Sequence, residues 1–356
     1  MEKINSKKLS SLVPNLNSVL EYHSCILDKA LKGVRKPLSD IVLVEYGGGL
    51  GFQSLLARKL GIGTVVYIDI DSKICKLAQE IAGEAGLKAD TYICGDVDML
   101  IDASIKADVI TSNDVLEHIY NIDYDLGRLS LVCQDGAVMF HCSGANMFWY
   151  PYVKHSGKLQ WEAEHIGVEE YNTGPFLKER ERVIRELEPN WPEEKVKDIA
   201  IRTRGLMQDS IALEIEWMDF GHVIEPEGHP TNTCNPYTGN WAERSMNPYY
   251  LAEILGSVGF EVSVEPVPFE KVGKSSNDLV RSTLNTLIKA SNSLYFSSKY
   301  AIYAKYTGVP STVKPTQNLY KYPISPVINL VKVPYELVSL ICPRKSYYSP
   351  QFGEGK

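Results

Sequence analysis

The 356-residue sequence lacks a long apolar run, an excess of positive charge and any closely spaced pair of cysteines. Without roughly 20 consecutive apolar residues, no membrane-spanning helix is predicted, and the charged first residues are not followed by the apolar segment of an export signal. The 37 basic residues are outnumbered by 44 acidic ones, so a nucleic-acid substrate is disfavoured. The seven cysteines are never spaced C-x-x-C, which argues against a disulfide framework or structural zinc. We therefore expect a cytoplasmic protein.

Short β-branched runs alternate with stretches of helical periodicity through the first 143 residues. Residues 41–46 form a nearly continuous apolar run, as in a strand buried on both faces of a parallel sheet. Further strands are predicted at 64–68, 91–94, 108–112 and 137–142, and helices at 14–35, 52–60, 72–85, 97–103 and 123–133. This alternation predicts an α/β fold with a doubly wound, mostly parallel sheet.

The alternation stops after the fifth predicted strand and resumes near residue 247. Helices are predicted at 176–187 and 193–205 within this insertion, then a helix at 248–258, strands at 260–264 and 300–306, and a helix near 277–290. The predicted organisation is an N-terminal helical segment (1–37), a core (38–143), a large insertion or lid (144–246), the completion of the sheet (247–309) and a proline-rich C-terminal extension (310–356).

A glycine-rich turn, Glu-x-Gly-x-Gly-x-Gly at residues 45–51, directly follows the first predicted strand. Glycine permits positive φ and the close approach of a ligand. The spacing is not G-x-G-x-x-G, which disfavours a nicotinamide-dependent oxidoreductase. Asp69 ends the second strand, where a carboxylate can accept ribose hydroxyls. Asp96 and Val97 follow the third strand and, with Ile70, can contact an adenine.

Glu45, Asp69 and Asp96 would thus place three carboxylates around one ligand. That charge suits a ligand with a sulfonium and an ammonium better than it suits a pyrophosphate.

Four segments in order, VLVEYGGGLG, VVYIDID, YICGDVDML and ITSNDVLEHI, resemble motifs of the class I, seven-stranded, Rossmann-like S-adenosylmethionine-dependent methyltransferases. The resemblance covers roughly residues 38–143, with weaker support at 247–306. It implies a seven-stranded sheet and S-adenosyl-L-methionine as cofactor. Gly48 departs from the pattern mildly, because many members carry Cys or another small residue there.

The resemblance also implies which residues bind the cofactor: Glu45, Gly47, Gly49, Gly51, Asp69, Asp96, Val97 and Asn113. Ile70 joins them from its position directly after Asp69. It places Glu45 and Gly47 near the methionine amino group, and Asn113 beside the methionine moiety or the path of methyl transfer. His118, in the V-L-E-H-I stretch, is expected to pack at the cofactor rim rather than to act as a base.

A hydroxyl acceptor must lose its proton during methyl transfer, so a positioned base is expected. Asn146, Tyr150-Pro151 and His155-x-Gly157 loosely resemble a stretch of ubiquinone-type and polysaccharide-locus O-methyltransferases. We predict His155 as the general base and His141 as the second candidate, with Asn146 and Tyr150 binding the acceptor. An ordinary loop histidine and a buried histidine remain the respective alternatives.

Aromatic and polar residues cluster again at 235–244, where Tyr237, Trp241 and Arg244 are predicted to bind a hydroxyl-rich acceptor. Aromatic rings can cover the apolar faces of sugars while polar groups bind the hydroxyls. The alternative is a turn packed on the edge of the sheet.

The sequence therefore predicts an S-adenosylmethionine-dependent methyltransferase acting on oxygen of a sugar, a glycan, as in polysaccharide biosynthesis, or a small hydroxylated metabolite. N- or C-methylation and non-catalytic cofactor binding remain alternatives. No metal site is predicted, because His165, His222 and His229 lack a metal-site spacing. The apolar segment 327–342 either makes a peripheral membrane contact or packs against the protein.

Overall fold

The computed structural model describes residues 7–167, 174–224, 233–269 and 276–311. Its sheet has seven strands in the order β3-β2-β1-β4-β5-β7-β6. The strands are β1 (Val42–Tyr46), β2 (Thr64–Asp69), β3 (Thr91–Cys94), β4 (Ala107–Asn113), β5 (Cys133–Ser143), β6 (Phe260–Val267) and β7 (Lys299–Tyr306). The first five strands are parallel, and β7 runs antiparallel between β5 and β6. The predicted fold class is confirmed.

Helices cover both faces of this sheet. They are α1 (Lys7–Leu12), α2 (Leu16–Leu31), α3 (Phe52–Leu60), α4 (Ser72–Ala85), α5 (Val97–Asp102), α6 (Ile122–Ser130), α7 (Tyr150–His165), α8 (Phe176–Leu187), α9 (Glu193–Arg202), α10 (Gln208–Met218), α11 (Pro248–Ser257) and α12 (Ser276–Ser291). Alternate residues of each inner strand enter two separate cores: Leu43 packs with α2 and α3, and Val44 with α6 and α11. This explains why the central strands are apolar on both faces.

The strand order changes direction between β1 and β4, because the chain first builds outward to β3 and then returns to the other side of β1. In open α/β sheets, ligands bind at such a switch point, outside the carboxyl ends of the strands. The glycine turn after β1 and the residues that follow β4 lie there.

The local signals in the sequence define several helix ends. Asp71 caps α4, and its carboxylate accepts from the backbone N–H groups of Lys73 and Ile74. Asn247 caps α11 in the same way by accepting from the Tyr249 backbone N–H, and Pro248 stands at the first position of that helix.

The insertion contains more helix than the sequence predicts. Helices α8 and α9 lie where expected, but α7 and α10 were not predicted, and α7 replaces the expected loop around His155. Pro151 and Gly157 weaken the helical pattern of α7, yet proline in the first turn loses no hydrogen bond that the helix would have made.

A buried ion pair joins α7 to α8. The Arg180 guanidinium is fully buried, forms a bidentate pair with the Glu164 carboxylate and donates from Nε to the Ala200 carbonyl at 2.9 Å. The Thr233 hydroxyl donates to the same carboxylate at 2.5 Å. Burial alone would raise the pKa of Glu164, but Arg180 and Thr233 hold it below its usual value. This network fixes the helices of the insertion to the segment that returns toward the sheet.

We expect Arg180→Leu to lower the free energy of unfolding by about 3–5 kcal/mol, because it leaves the Glu164 charge buried without its partner. Arg185→Leu is the matched control: Arg185 lies on the same helix and pairs with Glu193, and the two side chains are 44% and 53% exposed. Its loss should cost less than about 1 kcal/mol. Urea denaturation of both variants measures the difference, and equal losses would contradict a special role for Arg180.

Candidate cofactor site and its surroundings

The turn after β1 needs glycine for its backbone conformation. Gly47, Gly49 and Gly51 have φ angles of 67°, 51° and 79°, in the left-handed region. At Gly47, a Cβ atom would also overlap the methyl groups of Val115, from the segment that follows β4. The turn and that segment are therefore packed directly against each other.

Gly48 is explained by a neighbour in β2. A Cβ atom at Gly48 would overlap the ring of Tyr67, whose hydroxyl donates to the Gly49 carbonyl at 2.7 Å. Glycine departs from the family pattern at position 48, and the ring of Tyr67 beneath the turn leaves no room there for a side chain.

Glu45 holds the turn from below. Its carboxylate accepts from the backbone N–H groups of Gln53 and Ser54, at 2.8 and 2.9 Å, and from the Ser54 hydroxyl at 2.5 Å. Burial raises the pKa of Glu45 to about 7. These oxygens cap the first turn of α3, and the position near a methionine amino group that the resemblance implies stays a prediction.

Asp69 lies at the carboxyl end of β2 and reaches back to the turn. Its carboxylate accepts from the backbone N–H of Gly49 at 2.9 Å and from that of Asp71 at 3.0 Å. Burial raises its pKa. The adjacent Ile70 side chain is 78% exposed, at the open edge of the sheet.

Asp96 and Val97 begin α5 at the end of β3. The exposed Asp96 side chain caps this helix by accepting from the backbone N–H of Asp98 at 3.1 Å. The Val97 side chain is buried in the core rather than open to an adenine ring, so the predicted side-chain contact is corrected. Only the Val97 backbone lies at the edge.

Asn113 ends β4 and is held by a residue that the sequence did not single out. The Tyr22 hydroxyl, from α2, donates to Asn113 Oδ1 at 2.7 Å, and Asn113 Nδ2 donates to Asp114 at 2.9 Å. The next residue of α2, His23, hydrogen-bonds Gln53 and stacks on Phe52 at the start of α3. Helix α2 therefore connects the glycine turn to the end of β4. The sequence predicted this helix, but not its position.

Glu117 and His118 follow in a short 3₁₀ turn. Glu117 is buried: its Oε1 accepts from the Ser143 hydroxyl at 2.6 Å, and its Oε2 has no hydrogen-bond partner among the described residues. Burial, assisted by the charge of Asp114, raises the pKa of Glu117 to about 7. The half-buried His118 ring is hydrogen-bonded through Nδ1 to the Trp241 carbonyl at 3.1 Å.

The two histidines predicted as bases occupy different environments. His141 is fully buried on β5, with Nδ1 3.2 Å from the Ser112 hydroxyl and Nε2 3.3 Å from the Tyr300 hydroxyl. Burial lowers its pKa to about 4. His141 is therefore a neutral core histidine without access to an acceptor, which corrects the prediction. His155 lies exposed on α7, where its catalytic role stays a prediction.

The predicted acceptor-binding residues also separate. Asn146 is fully buried: its Nδ2 donates to the carbonyls of Leu294 and Ser297, at 2.9 and 2.8 Å, and its Oδ1 accepts from the Phe148 backbone N–H. Asn146 is thus a structural link, and its predicted contact with an acceptor is corrected. Tyr150 begins α7 and is 51% exposed.

In the second cluster, Trp241 and Arg244 serve packing. Both are buried, Arg244 lies 4.6 Å from the Trp241 ring centroid, and its Nη2 donates to the Ile119 carbonyl at 3.0 Å. The structure favours the packed turn over direct acceptor contact for this pair. Tyr237 is half-buried, and its hydroxyl lies 3.3 Å from the Glu179 carboxylate.

No helix among the described residues is both long enough and apolar enough to cross a bilayer. The same residues contain no group of three His, Cys, Asp or Glu side chains arranged to hold a metal ion. His229 and the apolar segment 327–342 lie outside the described residues.

Part of this chain, including the candidate site, is similar to known proteins. Residues 44–140 match the family model described as a methyltransferase domain. Over 115 residues the chain is 33% identical to a ubiquinone biosynthesis O-methyltransferase from Pelagibacter ubique, covering 32% of this chain and 47% of that protein. A protein of the same description from Brucella ovis is 28% identical over 105 residues, covering 30% and 42%. The chain spans less than half the length of these relatives.

Among solved structures, the [4+2]-cyclase SpnF covers 82% of this chain and 83% of its own, with 11% identity and a TM-score of 0.41. A geranyl diphosphate C-methyltransferase from Streptomyces coelicolor covers 34% and 43%, with 14% identity and a TM-score of 0.28. The fold assignment rests on the strand order above rather than on these similarities. With the family match, the resemblance found in the sequence is confirmed: residues 44–140 match a methyltransferase domain, within the seven-stranded sheet expected of class I S-adenosylmethionine-dependent methyltransferases.

We expect Gly47→Ala to destabilise the protein more than Gly61→Ala. Both glycines have positive φ, but nothing lies within 4 Å of a Cβ at Gly61, so that variant measures the backbone cost alone, about 1 kcal/mol. Gly47→Ala adds the overlap with Val115. In thermal denaturation, adding Val115→Ala should recover part of the Gly47→Ala loss; a double variant as unstable as the sum of the single variants would contradict this packing.

A second prediction concerns pH. Because the folded pKa of Glu117 is raised to about 7, the folded state binds more protons than the unfolded state between about pH 4.5 and 7. The contribution of Glu117 to stability is therefore present at low pH and lost as pH rises through 7. Glu117→Gln should flatten this fall by at most about 1.4 kcal/mol per pH unit. Urea titrations across this range test it, with the exposed Glu261→Gln as control; an unchanged slope in Glu117→Gln would refute it.

Proposed function

We propose that this protein is an S-adenosylmethionine-dependent methyltransferase that methylates oxygen of a sugar, a glycan or a related small hydroxylated acceptor. The observation that carries the proposal is the bond between the Asp69 carboxylate and the Gly49 backbone N–H. It joins the carboxylate expected at a ribose to the turn expected at the methionine end, so that both belong to one preformed site.

The residues present fit this cofactor. A carboxylate has about four acceptor positions, so Asp69 keeps capacity for a ribose hydroxyl after accepting from Gly49 and Asp71. The exposed Ile70 side chain next to it can cover an adenine face. Asn113, held by Tyr22 and Asp114, lies across the switch point from the turn. When bound, the cofactor supplies an electrophilic methyl group for in-line displacement.

Support for an oxygen acceptor comes from the names of the relatives, which are O-methyltransferases. Because their similarity to this chain is confined to less than half of their length, their names do not identify its acceptor. The class of acceptor is therefore inferred from residues of the insertion in this chain. Tyr150 and Tyr237 are the predicted acceptor-binding side chains that keep exposed surface. Both offer an aromatic face and a hydroxyl, which suits a hydroxylated small molecule.

We further infer a cytoplasmic location and no nucleic-acid substrate, from the scattered cysteines and the formal charge of −7. The methylated product distinguishes N-methylation and C-methylation from O-methylation. If a labelled methyl group is transferred to amines or to carbon and never to hydroxyl compounds, the acceptor atom is not oxygen.

The experiment is calorimetric titration of the full chain with S-adenosylhomocysteine and S-adenosylmethionine. Asp69→Ala should weaken binding about 10- to 100-fold, the effect of losing hydrogen bonds to a charged group. Asp90→Ala is the matched control, because Asp90 likewise accepts from a backbone N–H, that of Val65, but at the amino end of β2. It should leave the affinity within about twofold.

Failure of the folded wild-type chain to bind either compound would overturn the proposed function. Binding that Asp69→Ala leaves intact would retain the cofactor but refute the placement of the ribose.

A further inference from the structure

The proposed reaction needs a group that takes the proton of the acceptor hydroxyl. His141 is sealed in the sheet, and the exposed His155 lies on a helix of the insertion. A third histidine, His118, is half-buried in the segment that follows β4. We infer that His118 accepts the hydroxyl proton during methyl transfer; this inference rests on the function proposed above.

The hydrogen bond of His118 fixes its tautomer. Nδ1 lies 3.1 Å from the backbone carbonyl oxygen of Trp241, and a carbonyl oxygen can only accept. The hydrogen of the neutral ring is therefore on Nδ1, which leaves the Nε2 lone pair to receive a proton. Because the partner is backbone, the ring is oriented by the chain itself. The Trp241 backbone N–H also approaches the His118 carbonyl, at 3.5 Å, so the two segments are joined in both directions.

The position of His118 suits this role. Val115, three residues earlier, packs on Gly47 of the glycine turn, and Trp241 belongs to the segment that returns from the insertion. His118 is half-buried, whereas its neighbours Leu116 and Glu117 are buried. The ring therefore lies where the cofactor half of the site meets the insertion.

Charged groups of both signs lie on the segments around the His118 ring. The charge of His118 acts to lower the pKa of the neighbouring Glu117, so the two groups interact favourably when both are charged. Asp114 adds negative charge on the same segment. The segment that contains Trp241 adds one group of each charge. The Glu243 carboxylate accepts from the Tyr152 hydroxyl at 3.1 Å. The positively charged Arg244 donates to the carbonyls of Leu116 and Ile119.

The step balances in charge and atoms. The acceptor oxygen bonds the methyl carbon, the carbon–sulfur bond breaks with its electron pair passing to sulfur, and the hydroxyl proton moves to Nε2 of His118. The positive charge of the sulfonium is thereby replaced by that of the imidazolium, which later releases its proton to water.

Two phenols distinguish a base from a structural residue. Catechol must lose a proton on reaction, whereas 4-nitrocatechol is already ionised at about pH 8 and needs no base. With labelled S-adenosylmethionine, His118→Gln should reduce transfer to catechol about 10²- to 10⁴-fold and transfer to 4-nitrocatechol less than about tenfold. The acid limb of the pH–rate profile for catechol should disappear, and the affinity for S-adenosylhomocysteine should change less than about twofold.

His222→Gln is the matched control, because His222 is an exposed histidine that pairs with Glu214 at the end of α10; it should change none of these values. Equal losses with both phenols in His118→Gln, or a loss selective for catechol in His155→Gln instead, would overturn the inference.

A labelling measurement tests, without an acceptor, whether the His118 ring is unprotonated and accessible, as the inference requires. Diethyl pyrocarbonate modifies unprotonated, accessible imidazole nitrogen, so mass spectrometry of the treated wild-type chain should find His118 labelled and His141 unlabelled. An unlabelled His118 in a chain that labels at His222 would overturn the inference even where neither phenol is methylated. A wild-type chain that does not bind S-adenosylhomocysteine would instead refute the proposed function. Failure of the inference about His118 and failure of the proposed function are therefore distinguishable.

Discussion

The Glu45 carboxylate accepts from the first backbone N–H groups of α3, while the Glu45 backbone pairs with Tyr67 of β2 and Thr111 of β4 in the middle of the sheet. The end of β1 and the start of α3 are thereby held at a fixed separation, and the glycine turn must span it. Side chains two residues apart on a strand share a face, so Tyr67 and Asp69 both lie on the side of the turn. One donates to the Gly49 carbonyl, and the other accepts from the Gly49 N–H. The shape of the turn follows from this register.

A second set of contacts joins the insertion to the core, and it relies on backbone carbonyls. The segment 116–120 is too irregular to pair its carbonyls within a sheet or a long helix, and buried carbonyls need donors. Arg244 supplies one for Ile119, and the Trp241 indole N–H lies 3.4 Å from the Tyr120 carbonyl. His118 makes the reverse contact, donating to the Trp241 carbonyl. The insertion is therefore attached to the segment that packs on the glycine turn, rather than to a distant edge of the sheet.

These contacts explain what could and could not be predicted. Strand runs, the glycine turn and the caps of α4 and α11 are local signals, so β3, α3, α4 and α8 have the bounds that the sequence predicts. The use of a polar side chain is decided by its partner in the folded chain. Asn146 and Arg244 have the residue types of a sugar site, but they donate hydrogen bonds to carbonyls distant in sequence. Sequence reasoning missed Tyr22 for the converse reason: its helix was visible, but its contact with Asn113 spans 91 residues.

The electrostatic argument from the sequence also changes in the folded protein. Three carboxylates around one ligand would offer three full negative charges only if each stayed ionised. Burial raises the pKa of Glu45 to about 7 and also raises that of Asp69, so the charge at this edge is smaller than the residue count indicates. A cation bound near these groups would favour their ionised forms and lower their pKa values. Because Glu45 is the group that holds the turn, attraction for a cation and the geometry of the turn depend on the same carboxylate.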